Sequence, residues 1–314
     1  MKIKRREPLL VQSGLVLGLL AIGNLIGSLS QILRYFFAGL AVFFLIHLIF
    51  GMVSYKKLVR KQLRDPLIAS VFPTFFMQGM LLSSYLASWT FWGSWTMFLA
   101  RILWWISFIG LVFLMIYYFF SFLIPFKWEN VYPSWTVLFV GIGVAPLTIF
   151  VSDQFFLGQI IFWYCLLATI LVLPIVFYKT FKIGLTEAIL PNMTTFCAPV
   201  SLITAAYVAS FPNPNNLLLL FLIVFGQILY FFILYQLPSL LRRPFSAGFS
   251  AFTFPLVISA TALKAFLLHY NIGIIGQIFY VCEVLIALVV ILRVTFLYLK
   301  DIFALRSEER RVGK

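Results

Sequence analysis

Hydrophobic residues occur along this chain in long runs that short polar breaks separate. Each run has about the length, roughly 20 apolar residues, that a helix needs to cross a bilayer. The pattern predicts ten membrane-spanning helices, near residues 9–28, 32–53, 66–86, 95–120, 133–152, 155–178, 188–210, 217–237, 245–268 and 275–299. We therefore expect an all-α polytopic membrane protein with a single transmembrane domain over residues 1–314.

The predicted spans alternate in polarity. The odd-numbered spans contain 24 Ser, Thr, Asn and Gln residues in 108 positions, and the even-numbered spans contain 8 in 118. Because lipid accepts few polar groups, polar helices should face the protein interior or a cavity. We expect the odd helices to be inner and the even helices to be outer. The alternative, that hydroxyl groups only join neighbouring helices, does not explain an alternation across all five pairs.

Proline follows the same alternation. Four odd-numbered spans contain an internal proline, at Pro73, Pro146, Pro199 and Pro255. The first span has glycines instead, among them Gly14 and Gly18. An internal proline removes a backbone hydrogen bond and kinks a helix, and a membrane helix tolerates this where neighbours or water satisfy the backbone. The pattern predicts kinked inner helices around a central pore.

Small and hydroxyl side chains share one face of the inner helices, at i, i+3, i+4 and i+7 spacing. These faces carry no fixed charge, which suits a narrow and weakly polar conduit. Phe254 interrupts one of them beside a proline, so it is a candidate gate of the pore. The candidate pore-lining and kink residues are Gly14, Gly18, Ser70, Pro73, Thr74, Gln78, Gly141, Pro146, Thr148, Thr194, Pro199, Ser201, Thr204, Ser246, Ser250, Pro255 and Thr261.

Composition agrees with a membrane protein. The chain is 63% hydrophobic and 10% charged, with a mean hydropathy of +1.07, whereas soluble proteins average about 45–50% and about 25%. The net charge of +14 does not indicate nucleic-acid binding, because the basic residues lie in short loops. The three cysteines have neither disulfide nor metal-ligand spacing. Catalytic motifs are absent, so we expect no enzyme activity, cofactor or metal.

The distribution of Lys and Arg predicts the orientation. If the N-terminus is cytoplasmic, the predicted outer loops carry none of the 23 basic residues, and 19 fall on the cytoplasmic side. The positive-inside rule then places both termini in the cytoplasm. The 19 residues are Lys2, Lys4, Arg5, Arg6, Lys56, Lys57, Arg60, Lys61, Arg64, Lys127, Lys179, Lys182, Arg242, Arg243, Lys300, Arg306, Arg310, Arg311 and Lys314.

Some ionisable residues fall within the predicted spans. Arg34 and Arg293 lie near helix ends, where long side chains can reach the interface. Lys264 lies near the outer end of the ninth span, where it is either a charge that concentrates anions at the outer mouth or an interfacial anchor. Arg101 and Glu283 lie deeper on even helices, and we expect them to form structural pairs, together or with other partners.

Several of these features resemble one known family. The run Ser246-Ala-Gly-Phe-Ser-Ala-Phe-Thr-Phe-Pro-Leu256 is the most specific, supported by Ala198-Pro199 and Ser13-Gly14. With ten spans and proline-kinked inner helices, they resemble the tellurite-resistance/dicarboxylate transporter family, which includes TehA-like proteins and plant slow anion channels. The resemblance implies five helical hairpins in a quasi-fivefold arrangement around one pore per subunit, a homotrimer, and anion transport. The gating phenylalanine of the family carries over to Phe254.

Two functions remain open from the sequence. The first is an anion channel, or channel-like anion transporter, of the plasma or inner membrane, with small inorganic or organic anions as its partners and the pore occluded by Phe254. The second is a proton-coupled secondary carrier for a C4-dicarboxylate, sulfite or a similar oxyanion. The inner faces carry no Arg or Lys to bind a divalent carboxylate, which favours the channel. A carrier would need a titratable group at the midplane, and Glu283 is the only acidic candidate.

Overall fold

The computed structural model describes residues 9–89, 93–270 and 273–312, with side chains described as far as residue 303. In these ranges the secondary structure is entirely helical. Some of the basic residues that predict the orientation lie outside these ranges: Lys2, Lys4, Arg5, Arg6 and Lys314, together with the side chains of Arg306, Arg310 and Arg311.

Five long helices form the outside of the protein: α2 (Gln31–Ser54), α6 (Ser94–Tyr118), α10 (Phe155–Tyr178), α12 (Asn216–Leu241) and α14 (Ile274–Val312). α6 and α10 each continue into a π-helical turn, at Phe119–Leu123 and Lys179–Ile183. Only 22% to 44% of their most hydrophobic stretches is buried. Large apolar side chains therefore cover their outer surface, which we interpret as the lipid-facing surface.

The remaining apolar chain forms five inner segments, each made of shorter helical pieces. They are a 3-10 turn Leu10–Gln12 with α1 (Ser13–Ile26); α4 (Pro66–Val71) with α5 (Pro73–Ala87); α7 (Trp135–Val140), a 3-10 turn Gly141–Gly143, α8 (Val144–Leu147) and α9 (Ile149–Ser152); a 3-10 helix Leu190–Cys197 with α11 (Ala198–Ser210); and a 3-10 helix Ala247–Phe252 with α13 (Phe254–Tyr270). In α1 every residue except Asn24 is buried, and the second, fourth and fifth segments are 67% to 89% buried. Burial therefore follows the polarity of the sequence.

The protein is thus a helical, polytopic membrane protein. Within the described part of the chain, eight helical segments are long and apolar enough to cross a membrane. The first and third inner segments contain shorter apolar helices, Leu10–Ile26 and Trp135–Leu147.

In three inner segments a proline lies directly after the break between helical pieces. Pro73, Pro199 and Pro255 each occupy the first turn of an α-helix, in α5, α11 and α13. Proline has no N–H to donate to the preceding turn, and it fits best where that donor is not needed. A separate helical piece therefore precedes each one. α1 has no proline, and it runs without a break from Ser13 to Ile26.

The basic stretch after α2 also folds as a helix, α3 (Lys56–Leu63), none of whose residues is buried. The next helix begins at Pro66 because Asp65 caps it: the Asp65 carboxylate accepts hydrogen bonds from the backbone N–H groups of Leu67 (2.9 Å) and Ile68 (3.4 Å). An acceptor at this position satisfies N–H groups that have no partner in the helix.

The inner segments contact one another in chain order. α1 packs against α5, α5 against α8, α8 against α11, and α11 against α13, and α13 returns to α1. Each outer helix packs on an inner segment that precedes it in the chain, for example α2 on α1 and α14 on α13. The contacts between inner segments therefore form a closed cycle.

Candidate functional site

A cavity of about 420 Å³ lies among the inner segments, bounded mainly by α1, α2, α5, α13 and the chain around Thr148. We call it the vestibule. It follows α13 from Lys264 down to Phe254, a distance of about 15 Å at the usual helical rise. The Lys264 ammonium lies near the C-terminus of α1, because it donates hydrogen bonds to the Leu25 carbonyl (3.0 Å) and the Ser28 hydroxyl (2.7 Å).

Phe254 lies at the deep end of the vestibule. It is the first residue of α13, and its side chain is 6% exposed. Immediately before it, the Thr253 hydroxyl donates to the Gly14 carbonyl (3.0 Å). A Cβ added at Gly14 would lie 3.1 Å from the Ser250 hydroxyl, and one at Gly18 would collide with the Thr253 side chain. The chain is therefore closely packed beyond Phe254, and glycine permits this approach of α1 to the fifth segment.

The vestibule carries positive charge. Arg34 and Lys264 both line it, and no acidic residue is among the described residues of its wall. The Arg34 guanidinium lies 4.6 Å from the centre of the Tyr85 ring, and its Nε donates to the Asn24 side-chain oxygen (3.2 Å). The Asn24 amide in turn donates to Ser84 (3.1 Å). Two cations without an acidic neighbour give the cavity a positive potential that attracts anions.

Four of the residues predicted for the site line the vestibule: Thr148, Phe254, Thr261 and Lys264. Thr148 separates α8 from α9, and its hydroxyl accepts a hydrogen bond from the Trp104 indole (2.8 Å). The Thr261 hydroxyl donates to the Val257 carbonyl of its own helix (2.9 Å). Both threonines are neutral polar groups on the wall, and Thr261 lies between Lys264 and Phe254 along α13.

Most other hydroxyl groups predicted to line the pore link two inner segments or bond a carbonyl of their own helix. Ser70 bonds Ser134 (2.7 Å), Thr74 bonds Ser13 (2.6 Å), and Ser201 donates to Ser259 (3.4 Å). Thr194 and Thr204 donate to carbonyls three and four residues earlier. Contacts between segments therefore account for the hydroxyl groups of Ser70, Thr74 and Ser201, and bonds within their own helices account for those of Thr194 and Thr204.

The remaining predicted residues shape the backbone or pack closely. Gly141 opens the 3-10 turn of the third segment and lies against the Met77 sulfur, and Pro146 lies within the short helix that follows. Ser246 precedes the 3-10 helix of the fifth segment without capping it. Gln78 is different: it is 1% exposed, and neither atom of its amide has a hydrogen-bond partner.

The deep charged residues are separated from the vestibule. The Arg101 Nε donates to the Val151 carbonyl (3.1 Å), and no ion pair joins it to Glu283 among the residues with described side chains. Arg101 and Glu283 were expected to pair either with each other or with other groups, and Arg101 pairs with another group, the Val151 carbonyl. Glu283 on α14 is 3% exposed, and its carboxylate oxygens make no hydrogen bond of good geometry, although the Gln227 amide lies near enough to interact.

Sequence reasoning missed several wall residues, notably Asn24, Ser28, Arg34 and Ser84. Ser28 carries a readable signal, because positions 21, 25 and 28 continue the helical face that begins at Gly18. Arg34 carries none, since it lies on an outer helix and only its contacts with Tyr85 and Asn24 bring it to the cavity. In the described ranges, no cluster of His, Cys, Asp and Glu could hold a metal ion.

Comparison with known families identifies one match over most of the chain. The model of the SLAC1 family, described as voltage-dependent anion channels, matches residues 12–295. No individual curated protein matches the sequence significantly. The matched range includes every wall residue of the vestibule.

Proposed function

The chain belongs to the SLAC1 family of voltage-dependent anion channels, the tellurite-resistance/dicarboxylate transporter family that includes TehA-like proteins, and we propose that it conducts small anions across the plasma or inner membrane. The observation that carries the proposal is a positively charged vestibule that ends on Phe254. Arg34 and Lys264 attract anions into the vestibule, and neutral hydroxyl groups line its wall. The Phe254 ring closes the path at the deep end. Movement of that ring opens the pore.

Helix ends support the passage of a negative charge through the closely packed chain beyond Phe254, which we call the closed half. α5, α11 and α13 begin inside the protein, at Pro73, Ala198 and Phe254. The N-terminus of a helix carries a partial positive charge from unpaired N–H groups. In the absence of fixed charge, these ends lower the cost of moving an anion between the segments without binding it tightly.

We further propose the full architecture that the sequence suggests. Ten helical segments cross the membrane as five hairpins in a quasi-fivefold arrangement, with both termini in the cytoplasm. The closed cycle of contacts between the inner segments supports this arrangement. The homotrimer is proposed from the family resemblance alone, with one pore in each subunit.

The second candidate is a proton-coupled carrier for a C4-dicarboxylate, sulfite or a similar oxyanion. The sequence disfavours this carrier because the predicted inner faces carry no Arg or Lys, but the vestibule brings Lys264 of the inner helix α13 together with Arg34 of the outer helix α2. Two cations in one cavity suit a divalent anion. The buried Glu283 is then the candidate proton site, although it does not line the vestibule.

Current through a planar bilayer tests the channel. We expect little current from wild-type protein and a large current from Phe254→Ala, reversing near the equilibrium potential of the anion in a chloride gradient. Phe266→Ala is the matched control, because Phe266 is a buried phenylalanine of the same helix that does not line the vestibule. Equal currents from wild type and Phe254→Ala would remove Phe254 from the mechanism.

Uptake of labelled malate or sulfite into vesicles tests the carrier. A carrier shows saturable, pH-dependent uptake, and Glu283→Gln should abolish the pH dependence while leaving the protein folded. Ohmic current in Phe254→Ala, with no saturable uptake by wild type, would reject the carrier.

A further inference from the structure

The position of Gln78 on α5 places it on the pore side of that helix. Leu81, Ser84 and Ser88 line the vestibule. Gln78 precedes Leu81 by three residues, and residues three or four apart share a helical face. The Gln78 side chain therefore continues the wall of the vestibule one turn beyond the residues that line the open cavity.

Two contacts between α1 and α5 fix the depth of Gln78. Thr74 bonds Ser13 (2.6 Å), and the Tyr85 hydroxyl donates to the Leu20 carbonyl (2.7 Å). Gln78 lies between these contacts, at the level of the middle of α1. Gly18 lies at the same level on α1, and a Cβ added there would be 3.2 Å from the backbone nitrogen of Phe254. Gln78 and Phe254 thus occupy one depth.

The Gln78 amide has no hydrogen-bond partner among the described residues. Gln12, on the neighbouring segment, is equally buried, and its amide donates to the Phe44 carbonyl (3.2 Å). Thr74, one turn from Gln78, is also paired. Burying an amide without a partner costs free energy that an apolar side chain of the same shape would not. An unpaired amide at the depth of the gate is therefore explained if its partner is the permeating ion.

We propose that Gln78 is the hydrogen-bond donor of an anion subsite that the Phe254 ring covers and that becomes available when the ring moves. The proposal rests on the proposed channel function. A primary amide offers two N–H donors without a charge. It replaces part of the hydration shell of a halide or nitrate, yet holds the ion weakly enough to release it. Chloride, which is more strongly hydrated, depends on this donor more than iodide does.

The test compares two glutamine variants in a Phe254→Ala channel. Gln78→Met removes the donor and keeps the length of the side chain, and Gln12→Met does the same at the paired glutamine. Because both ions lose the same donor, the chloride-to-iodide permeability ratio of Gln78→Met should fall by the difference between the two hydrogen bonds, about twofold to threefold. Gln12→Met should leave the ratio unchanged. The ratio is measured from reversal potentials with chloride on one side and iodide on the other.

Thermal stability provides an independent readout, in which Gln12→Met should have the larger effect and Gln78→Met the smaller one. Gln12→Met breaks a hydrogen bond and should melt at a lower temperature than its parent, whereas Gln78→Met breaks none and should melt no lower. As a second variant, Gln78→Glu keeps the shape and adds a negative charge, so it should reduce anion current about tenfold or more.

Each outcome bears on a separate claim. If Phe254→Ala conducts and Gln78→Met keeps its permeability ratio, the subsite is wrong and the channel stands. If both methionine variants shift the ratio equally, the effect is a general disturbance and the subsite is again wrong. If Phe254→Ala does not conduct, the channel proposal fails and the subsite fails with it.

Discussion

The two halves of the inner bundle use the same residue types in different ways. On one side of Phe254, Thr148, Thr261 and Ser84 line an open cavity. On the other side, the Ser13 hydroxyl bonds Thr74 and the Thr253 hydroxyl donates to the Gly14 carbonyl, so the segments lie close together. A hydroxyl group in an inner helix therefore does not by itself indicate a pore. What separates the halves is whether the neighbouring segment lies close enough to provide a partner.

The largest expected effect comes from adding one methyl group where the closed half is tightest. Gly18→Ala should destabilise the protein by about 1–3 kcal/mol, because the new Cβ meets the Thr253 side chain and overpacking must shift the backbone. Gly39→Ala is the control on α2, where no atom lies within 4 Å of the new Cβ. It should be neutral or stabilising by about 0.5–1 kcal/mol.

Melting of both glycine variants in detergent measures this contrast. Equal melting temperatures for Gly18→Ala and Gly39→Ala would mean that the closed half is no more tightly packed than an outer helix surface. The comparison between the two halves would then fail.

Removing charge from the open half, the side of Phe254 that holds the vestibule, should have an intermediate effect, measured as current. In a conducting Phe254→Ala channel, Arg34→Gln with Lys264→Gln should lower anion current severalfold at low salt. The deficit should shrink at high salt, since the Debye length falls from about 30 Å at 0.01 M to about 3 Å at 1 M. The control is Lys57→Gln, an exposed basic residue of α3.

Single-channel current measured over a series of chloride concentrations gives the result. A deficit that stays constant with salt would show that these two side chains act through local structure and not through their charge.

The smallest expected effect comes from breaking one hydroxyl pair in the closed half. Thr74→Val with Ser13→Ala should give a coupling free energy of about 0.6 kcal/mol, the average for such pairs in membrane proteins. Neither substitution should change the permeability ratio of the channel, because these hydroxyls are committed to each other and to their own helices.

A double-mutant cycle of unfolding free energies measures this coupling. A coupling near zero, together with altered permeation, would mean that the two hydroxyls face the ion and do not bond each other. The hydroxyls of the closed half would then line the pore as those of the vestibule do.

The sequence predicts the division between buried and exposed helices well, because lipid and protein interior select different residues along every span. The breaks before Pro73, Pro199 and Pro255 follow from proline chemistry in the same direct way. The vestibule could be predicted only in part. Arg34 reaches it through contacts with Tyr85 and Asn24 on other helices, which no local pattern encodes. Gln78 is unpaired because no neighbouring group among the described residues accepts from or donates to its amide, and a local sequence pattern does not show this either.

Thiol labelling tests whether the Phe254 ring separates the vestibule from the closely packed chain beyond it. In a background without Cys165, Cys197 and Cys282, a cysteine is placed at Thr261 or at Gln78, and a charged, membrane-impermeant thiol reagent is added outside the vesicles. Thr261→Cys should react rapidly with the reagent whether position 254 is Phe or Ala. Gln78→Cys should react slowly beside Phe254 and nearly as fast as Thr261→Cys in Phe254→Ala. Rapid labelling of Gln78→Cys with Phe254 in place would contradict the account.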